Sequence, residues 1–256
     1  MFAFSEEYAA GVRVARGNPC VVSLLDALPE APPLEVPHTQ CVSAVLEDGS
    51  VDVRCWTATG HSIALCGHGL LCCGVAWMRE GQMHNQLLMN GVPISFEVED
   101  DVAWIGIAPI ATAPCAVPAW TREFFPSLPW RAAQAGGESG YLILEWPSGF
   151  DLSTLPVPDY GLRRRTHQSI IATSVDAEHP DIDVQLRYFA PQHGVPEDTA
   201  TGSAMRVLAT YWMNRELADG LRAFQCSPQG GVLRSRVREE LTWIGGRVTP
   251  GETNAF

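Results

Sequence analysis

Two stretches of the chain are apolar on nearly every face at helical length, and most of what surrounds them alternates like β-structure. From Cys66-Gly67-His68-Gly69 through Leu70, Leu71, Cys72, Cys73, Gly74, Val75, Ala76, Trp77 and Met78, no strongly polar side interrupts until Arg79 and Glu80. A helix with that pattern is buried all round. A second mostly apolar helix is predicted through Met205, Val207, Leu208, Ala209, Tyr211 and Trp212, after the run Glu197 to Ala204. Strand-like runs with turn punctuation fill the first half. Val12 to Val14, Gly17-Asn18-Pro19 and Cys20 to Leu25 read as strand, tight turn, strand. Gln40 to Leu46 and Val51 to Thr57 flank the hairpin turn Glu47-Asp48-Gly49. Gln86 to Met89, Ile94 to Val98 and Val102 to Ile107 are separated by the turns Asn90-Gly91 and Asp100-Asp101. Ala108 to Pro129, rich in Pro and Ala and without a period, reads as the crossing into a second lobe. There, strands are predicted at Gly140 to Glu145, Gln168 to Ala172, Gln185 to Ala190, Val232 to Arg238 and Leu241 to Val248. Each half thus carries strands, a glycine-containing strand-to-helix turn and one buried helix.

Composition narrows the chemistry. Across 256 residues, 29 acidic side chains against 17 basic ones leave a formal charge of −12, so no field draws phosphate backbones or anionic lipid. Neither nucleic acid nor a membrane is expected as a partner. All 17 basic residues are arginine. Without a lysine amine there is no internal Schiff base and no Walker loop, which removes pyridoxal-phosphate enzymes, lysine aldolases and P-loop nucleotide hydrolases. No apolar run reaches the roughly 18 residues of a membrane span, and the opening MFAFSEEYAAG lacks the basic and apolar regions of a signal peptide. The eight cysteines (Cys20, Cys41, Cys55, Cys66, Cys72, Cys73, Cys115 and Cys226) are therefore expected to be mostly reduced, buried thiols of a cytoplasmic protein. No CxxC pair occurs, and the nearest metal-like set, His68 with Cys72 and Cys73, lies in an apolar helix, so no metal is expected.

The two strand-to-helix turns are the candidate chemistry. Gly67 and Gly69 in one, and Thr201, Gly202 and Ser203 in the other, present backbone N–H groups at the positive end of a helix dipole, a seat for a carboxylate. From spacing alone, ordinary capped core helices account for the turns equally well. Cys66 at a helix start is expected to have a lowered pKa, so that its thiolate would act as base or nucleophile. His68 stands between two glycines, and Asp198 occupies the matching approach to the second helix. His38, His61, His84, His167, His179 and His193 have no comparable context and read as surface or turn residues. Arg163-Arg164-Arg165 reads as a solvated face, and Gly136 to Gly140, lacking dinucleotide spacing, as a loop.

Several segments carry a family resemblance: Ala15-Arg16-Gly17-Asn18-Pro19, Leu65-Cys66-Gly67-His68, Arg187-Tyr188-Phe189-Ala190-Pro191 with Gly194-Val195-Pro196, Glu197 to Ala204, and Gln225 to Gly231. In this order they resemble the PhzF-like proteins of phenazine biosynthesis, which share a fold with diaminopimelate epimerase and proline racemase. The resemblance implies an α+β, diaminopimelate epimerase-like fold of two pseudo-symmetric lobes, each a β-barrel around a central α-helix. The N-terminal lobe would comprise residues 1–115 with 243–256, the C-terminal lobe residues 116–242, and the active site, with Asn18 among its residues, the cleft between them. It also implies a homodimer with no metal or organic cofactor, acting on a small-molecule carboxylic acid. Asp198 and His68 match residues that position substrate and relay protons, and Gly67, Gly202 and Ser203 match anion-binding turns. The family's catalytic Glu falls at Gln40, whose amide takes no proton at neutral pH. Acidic residues that many relatives carry before Cys-Gly-His are replaced by Ser62 and Ala64. Cys66 stands where the epimerases keep one catalytic cysteine and Thr201 where they keep the other, which argues against symmetrical racemisation. The expected activity is a cofactor-independent isomerase using Asp198, His68 and Cys66, or a one-base dehydratase or epimerase with the same layout. The alternative is a ligand-binding relative that lost catalysis at Gln40.

Overall fold

A computed structural model describes residues 1–8, 13–215 and 220–251. Strands β1 (Phe2–Ala3), β2 (Glu6–Tyr8), β3 (Arg13–Ala15), β4 (Asn18–Leu24), β5 (Thr39–Val45) and β6 (Val51–Trp56) precede helix α1 (Gly67–Arg79). Next come β7 (Gln86–Met89), β8 (Val92–Glu99), β9 (Val102–Ile107), β10 (Thr112–Cys115) and the single-turn α2 (Thr121–Phe124). They are followed by β11 (Arg131–Ala135), β12 (Tyr141–Glu145), β13 (Ser169–Val175) and β14 (Val184–Phe189). Helix α3 (Gly202–Met213) leads into β15 (Gly220–Gln225), β16 (Gly231–Arg238), β17 (Leu241–Gly246) and β18 (Val248–Thr249).

Sixteen of these strands form one mixed sheet, and the same pairing order occurs in it twice. In the first half β18, β1 and β4 pair antiparallel, β4 and β5 parallel, β5 and β6 antiparallel, β6 and β7 parallel, and β7, β8 and β9 antiparallel. The second half repeats this from β10 through β17, strand for strand. The halves join where β17 pairs antiparallel with β9. By pairing, β10 goes with the second half and β18 with the first, so the division falls between Ile107 and Thr112 and again between Gly246 and Val248.

The helices repeat as well. Helix α1 packs against β1, β4, β5, β6, β9 and β18, and α3 against β10, β15, β16 and β17. Trp77, ten residues after the first glycine of α1, donates its indole N–H to Ser43 Oγ of β5 at 2.9 Å. Trp212, ten residues after the first glycine of α3, donates to Thr173 Oγ1 of β13 at 3.2 Å. A buried indole needs an acceptor, and each half supplies a hydroxyl from the corresponding strand. Both helices are nearly enclosed, through Leu70, Leu71, Cys72 and Cys73 in one and Met205, Val207, Leu208 and Tyr211 in the other. No helix among the described residues is long and apolar enough to cross a membrane.

The hairpin turns, both helices and the strands flanking them lie where the alternation put them. The strand, tight turn, strand reading around Gly17-Asn18-Pro19 is corrected: β3 pairs with β2, whereas β4 starts at Asn18 and pairs with β1 and β5. Gly17, at φ 78°, passes so close to the Ala3 carbonyl that a Cβ there would collide with it, so only glycine fits where the chain passes from β3 to β4. Val12 of that predicted strand, and the end of the chain from 252, lie outside the described residues. The crossing Ala108 to Pro129 holds β10, whose Pro114 is tolerated because β10 is an edge strand. Cys41 of β5 and Cys55 of β6 form a disulfide, an exception to the expectation of mostly reduced thiols, and Cys20, Cys66, Cys72 and Cys73 are buried and outside it.

Candidate functional site

The starts of α1 and α3 meet at the join between the two halves. A Cβ built on Gly67 would lie 3.5 Å from the Gly202 Cα, and one on Gly202 equally close to the Gly67 Cα. A single added methyl group at either position would already be in van der Waals contact with the other glycine. Cys66 and Thr201 are the respective N-caps; neither makes a side-chain capping bond, and neither first turn carries an acidic residue. Two positive helix ends therefore face one another with no acidic residue inside either first turn and Asp198 to one side, an arrangement that favours an anion.

Asp198 stands beside these ends and accepts three hydrogen bonds. Oδ1 takes the Asn18 Nδ2 at 3.2 Å and the Thr199 N–H at 2.9 Å, and Oδ2 takes the Thr201 hydroxyl at 2.7 Å. An ionised carboxylate has about four lone-pair sites, so Oδ2 keeps one for a further partner. The segment is held from several sides. Gln225, fully buried, accepts the Thr201 N–H at 2.8 Å and donates to the Asp198 carbonyl at 2.6 Å. Asn18 also donates to the Ala200 carbonyl, and Ser227 Oγ to the Thr199 carbonyl. Gly231 runs so close beneath Ala200 that a Cβ there would strike it. Glu197, next to Asp198, is locked by a bidentate pair with the buried Arg187, whose guanidinium also donates to the Leu152 and Leu155 carbonyls. The segments around Asn18, Arg187 and Gln225 are thus the walls that aim Asp198.

On the α1 side, Cys66 Sγ lies 3.6 Å from His68 Nδ1. Burial pushes the Cys66 thiol up to about 12, against the lowering pull of the nearby Gly69 backbone N–H, and the charges of Asp198 and Cys72 add to the rise. The expectation of a lowered Cys66 pKa is therefore corrected: desolvation outweighs the helix end, and the group is a protonated thiol at neutral pH. Burial drives the His68 ring towards its neutral form, with Asp198 opposing it. Cys66, His68 and Asp198 therefore feel one another electrostatically. Ser203 bonds the Tyr188 hydroxyl, which is pushed upward first by burial. Tyr188 also packs at 6.5 Å from Tyr141.

Gln40 does not join this group. Its amide accepts the Leu34 N–H at 3.2 Å and donates to the Leu34 carbonyl at 2.7 Å, pinning the loop before β5. Its neighbour Cys41 faces α1, so the alternation of β5 turns Gln40 away from that helix, towards a cleft of about 480 Å³ lined also by Pro32, Leu34 and Gly60. The set His68, Cys72 and Cys73 does not assemble as metal ligands among the described residues; the sulfurs that cluster are those of Cys41, Cys55 and Cys66. Sequence reasoning passed over Gln225, Arg187, Tyr188 and Tyr141. The first three stand inside the segments that carry the family resemblance, where nothing local distinguishes them from their neighbours.

A family model described as "Phenazine biosynthesis-like protein" matches residues 116–246. An uncharacterized isomerase of Vibrio cholerae is 30% identical over 226 residues, covering 85% of this chain and 77% of that protein. A phenazine biosynthesis-like domain-containing protein of rat is 50% identical over 58 residues, or 23% of this chain and 20% of its own. Among solved structures, a PhzF-family protein of Enterococcus faecalis superposes with a TM-score of 0.79 at 22% identity over 96% of this chain and 94% of its own. A hydroxyproline epimerase of Agrobacterium vitis gives 0.55 at 13% identity over 86% and 76%. These likenesses carry the α+β, epimerase-like fold, and with the family match over half the chain and the Vibrio relative over most of it, the chain belongs to the phenazine biosynthesis-like PhzC/PhzF family.

Proposed function

We propose that the protein is a cofactor-independent isomerase of a small carboxylic acid, working by proton transfer where the two helix ends meet. The observation that carries the reading is the uncapped, face-to-face approach of α1 and α3 at Gly67 and Gly202, with the open Oδ2 of Asp198 beside it. The substrate carboxylate would bind N–H groups of the Gly67–Gly69 and Gly202–Ser203 turns, at the positive ends of the two helices. Asp198 would take the proton. The protonated Cys66 thiol, with the neutral His68 ring beside it, would return one to another carbon, and the proton held on Asp198 would pass back through His68 to Cys66, completing an isomerisation. Gln40 supplies no proton in this scheme. The repeated strand order supports two pseudo-symmetric lobes around α1 and α3, with this cleft between them. The isomerase and epimerase names of relatives and structural neighbours support the reaction class.

Solvent deuterium incorporation, followed by mass spectrometry over a panel of amino, hydroxy and cyclic unsaturated acids, tests the reading. Incorporation into at least one acid by the natural protein, abolished in Asp198→Asn, is expected. Acids that bind without incorporating deuterium would instead identify a ligand-binding relative that lost catalysis with the family's Glu.

A further inference from the structure

Three sulfur atoms converge beneath the start of α1. A Cβ at Gly69 would lie within 2.9 Å of the sulfurs of Cys41, Cys55 and Cys66, so only glycine leaves room for them. The three atoms lie within 4.8 Å of one another, and all three residues are buried. Two are already joined, since Cys41 and Cys55 sit directly opposite in the β5–β6 ladder with Cα atoms 4.2 Å apart. The third belongs to the N-cap of the candidate site and touches His68. A disulfide with a thiol this close to its sulfurs brings together the two partners of thiol–disulfide exchange.

We propose that Cys41, Cys55 and Cys66 form one exchange site, in which the disulfide migrates from the Cys41–Cys55 pair onto Cys66. Cys66 gives up its proton and attacks one sulfur of the bridge. A bond forms from Cys66 to that sulfur, the Cys41–Cys55 bond breaks, and the displaced sulfur leaves as a thiolate that takes up the released proton. One disulfide and one thiol exist before and after, so no oxidant is consumed. The neutral His68 ring, 3.6 Å from Cys66 Sγ, is placed to accept the proton in transit. Burial, which holds the Cys66 thiol protonated, makes the step slow unless His68 assists. In the migrated form Cys66 is tied to the β5–β6 hairpin and lost as a thiol partner of His68. That consequence for turnover rests on the proton-transfer reading; the exchange itself does not.

Peptide mass tests the exchange without any activity measurement. Full-length natural protein, Cys41→Ser and Cys55→Ser are reduced, reoxidised with diamide, quenched with N-ethylmaleimide and mapped by tandem mass spectrometry without further reduction. Folding of each variant is checked first by far-UV circular dichroism, and an unfolded variant is set aside. The expected result is a Cys55–Cys66 peptide in Cys41→Ser, a Cys41–Cys66 peptide in Cys55→Ser, and a Cys66-linked fraction beside Cys41–Cys55 in the natural protein. A Cys66 link to Cys41 or Cys55 in any folded sample supports the proposal. Cys66 fully alkylated, or linked only to other cysteines, in every folded sample overturns it, and the natural protein alone suffices for either outcome.

Discussion

Gln225 is the residue through which the fold most directly holds the candidate site, and its removal has a calculable effect. The side chain is fully buried, and its two amide atoms serve the Thr201 N–H and the Asp198 carbonyl, at 2.8 and 2.6 Å. Gln225→Leu keeps the volume and leaves both groups without a partner. Each such loss costs about 1–3 kcal/mol, so the pair amounts to about 2–6 kcal/mol. For a chain of this size that lowers Tm by roughly 10 °C. Urea unfolding at pH 7 would show the midpoint falling at unchanged slope, since the same surface is exposed. Gln225→Glu separates the two contacts. At pH 7 its carboxylate still accepts from Thr201 but faces the Asp198 carbonyl without a proton to give, and it adds a negative charge close to Asp198. When protonated, it regains the donor. The Gln225→Glu deficit relative to the natural protein should therefore shrink as pH falls through the range in which that Glu takes up its proton. A loss below about 1 kcal/mol in Gln225→Leu would refute the reasoning, because it would mean that water or a local shift satisfies both groups.

Three further outcomes follow from the same structure. Glu197→Gln breaks the buried pair with Arg187 and should destabilise by about 3–5 kcal/mol, with Arg187→Met, Glu197→Gln together costing clearly less than the sum of the single changes in a double-mutant cycle; strict additivity would show the pair to be inert. Because the folded-state pKa of Cys66 is raised from 9.0 to about 12, its contribution to stability is present below pH 9 and lost as pH rises towards 12, by up to about 4 kcal/mol; the stability gap between natural protein and Cys66→Ala should narrow across that window, and a gap independent of pH would contradict the assignment. Glu239 and Glu240 form the β16–β17 turn at φ 55° and 62°, a conformation that suits Asn-Gly, so Glu239→Asn with Glu240→Gly should raise stability by about 1–2 kcal/mol in thermal unfolding, and no gain would mean that the acidic pair is compensated elsewhere.

What was legible in the sequence was local. The all-round apolar run from Gly69 to Met78 gives α1, and the left-handed pairs Asn90-Gly91 and Asp100-Asp101 give their hairpins, because these patterns need no distant partner. Strands β10, β11 and β15 are different. The Ala-rich Arg131–Ala135 has little intrinsic preference for a strand and becomes one only between β10 and β12. The disulfide had a signal that composition obscured: Cys41 and Cys55 lie seven residues either side of Asp48, so the predicted hairpin already set them opposite each other. In the site, His68, Cys66 and Asp198 could be named from their local setting, but their meeting across 130 residues of chain was expected only through the family resemblance, and the sign of the Cys66 shift was not expected. Helix position is a local property of Cys66 and points downward, whereas burial depends on β5, β6 and Asp198 and points upward.

The repeat in the fold accounts for why the candidate site is chemically one-sided although its scaffold is not. Cys66 and Thr201 are the N-caps of the two repeated helices, one in each half, and a two-base racemase would place equivalent groups there. Here the two positions have diverged in what they can do with a proton. The Thr201 hydroxyl is committed as a donor to Asp198 Oδ2 and a recipient of the Gln225 amide, so on that side the nearby group able to accept a proton is the carboxylate. On the other side burial keeps Cys66 protonated and His68 neutral, so that side holds a thiol proton and no carboxylate among these groups. On the proposed reading, the proton accordingly leaves the substrate towards Asp198 and one is returned from the α1 side. Such a polarity suits moving a hydrogen from one carbon to another better than inverting a single centre in both directions, because inversion requires each side to serve as base in turn. A substrate whose deuterium enters at a position different from the one that loses hydrogen would bear this out, and equal racemisation from both enantiomers would contradict it.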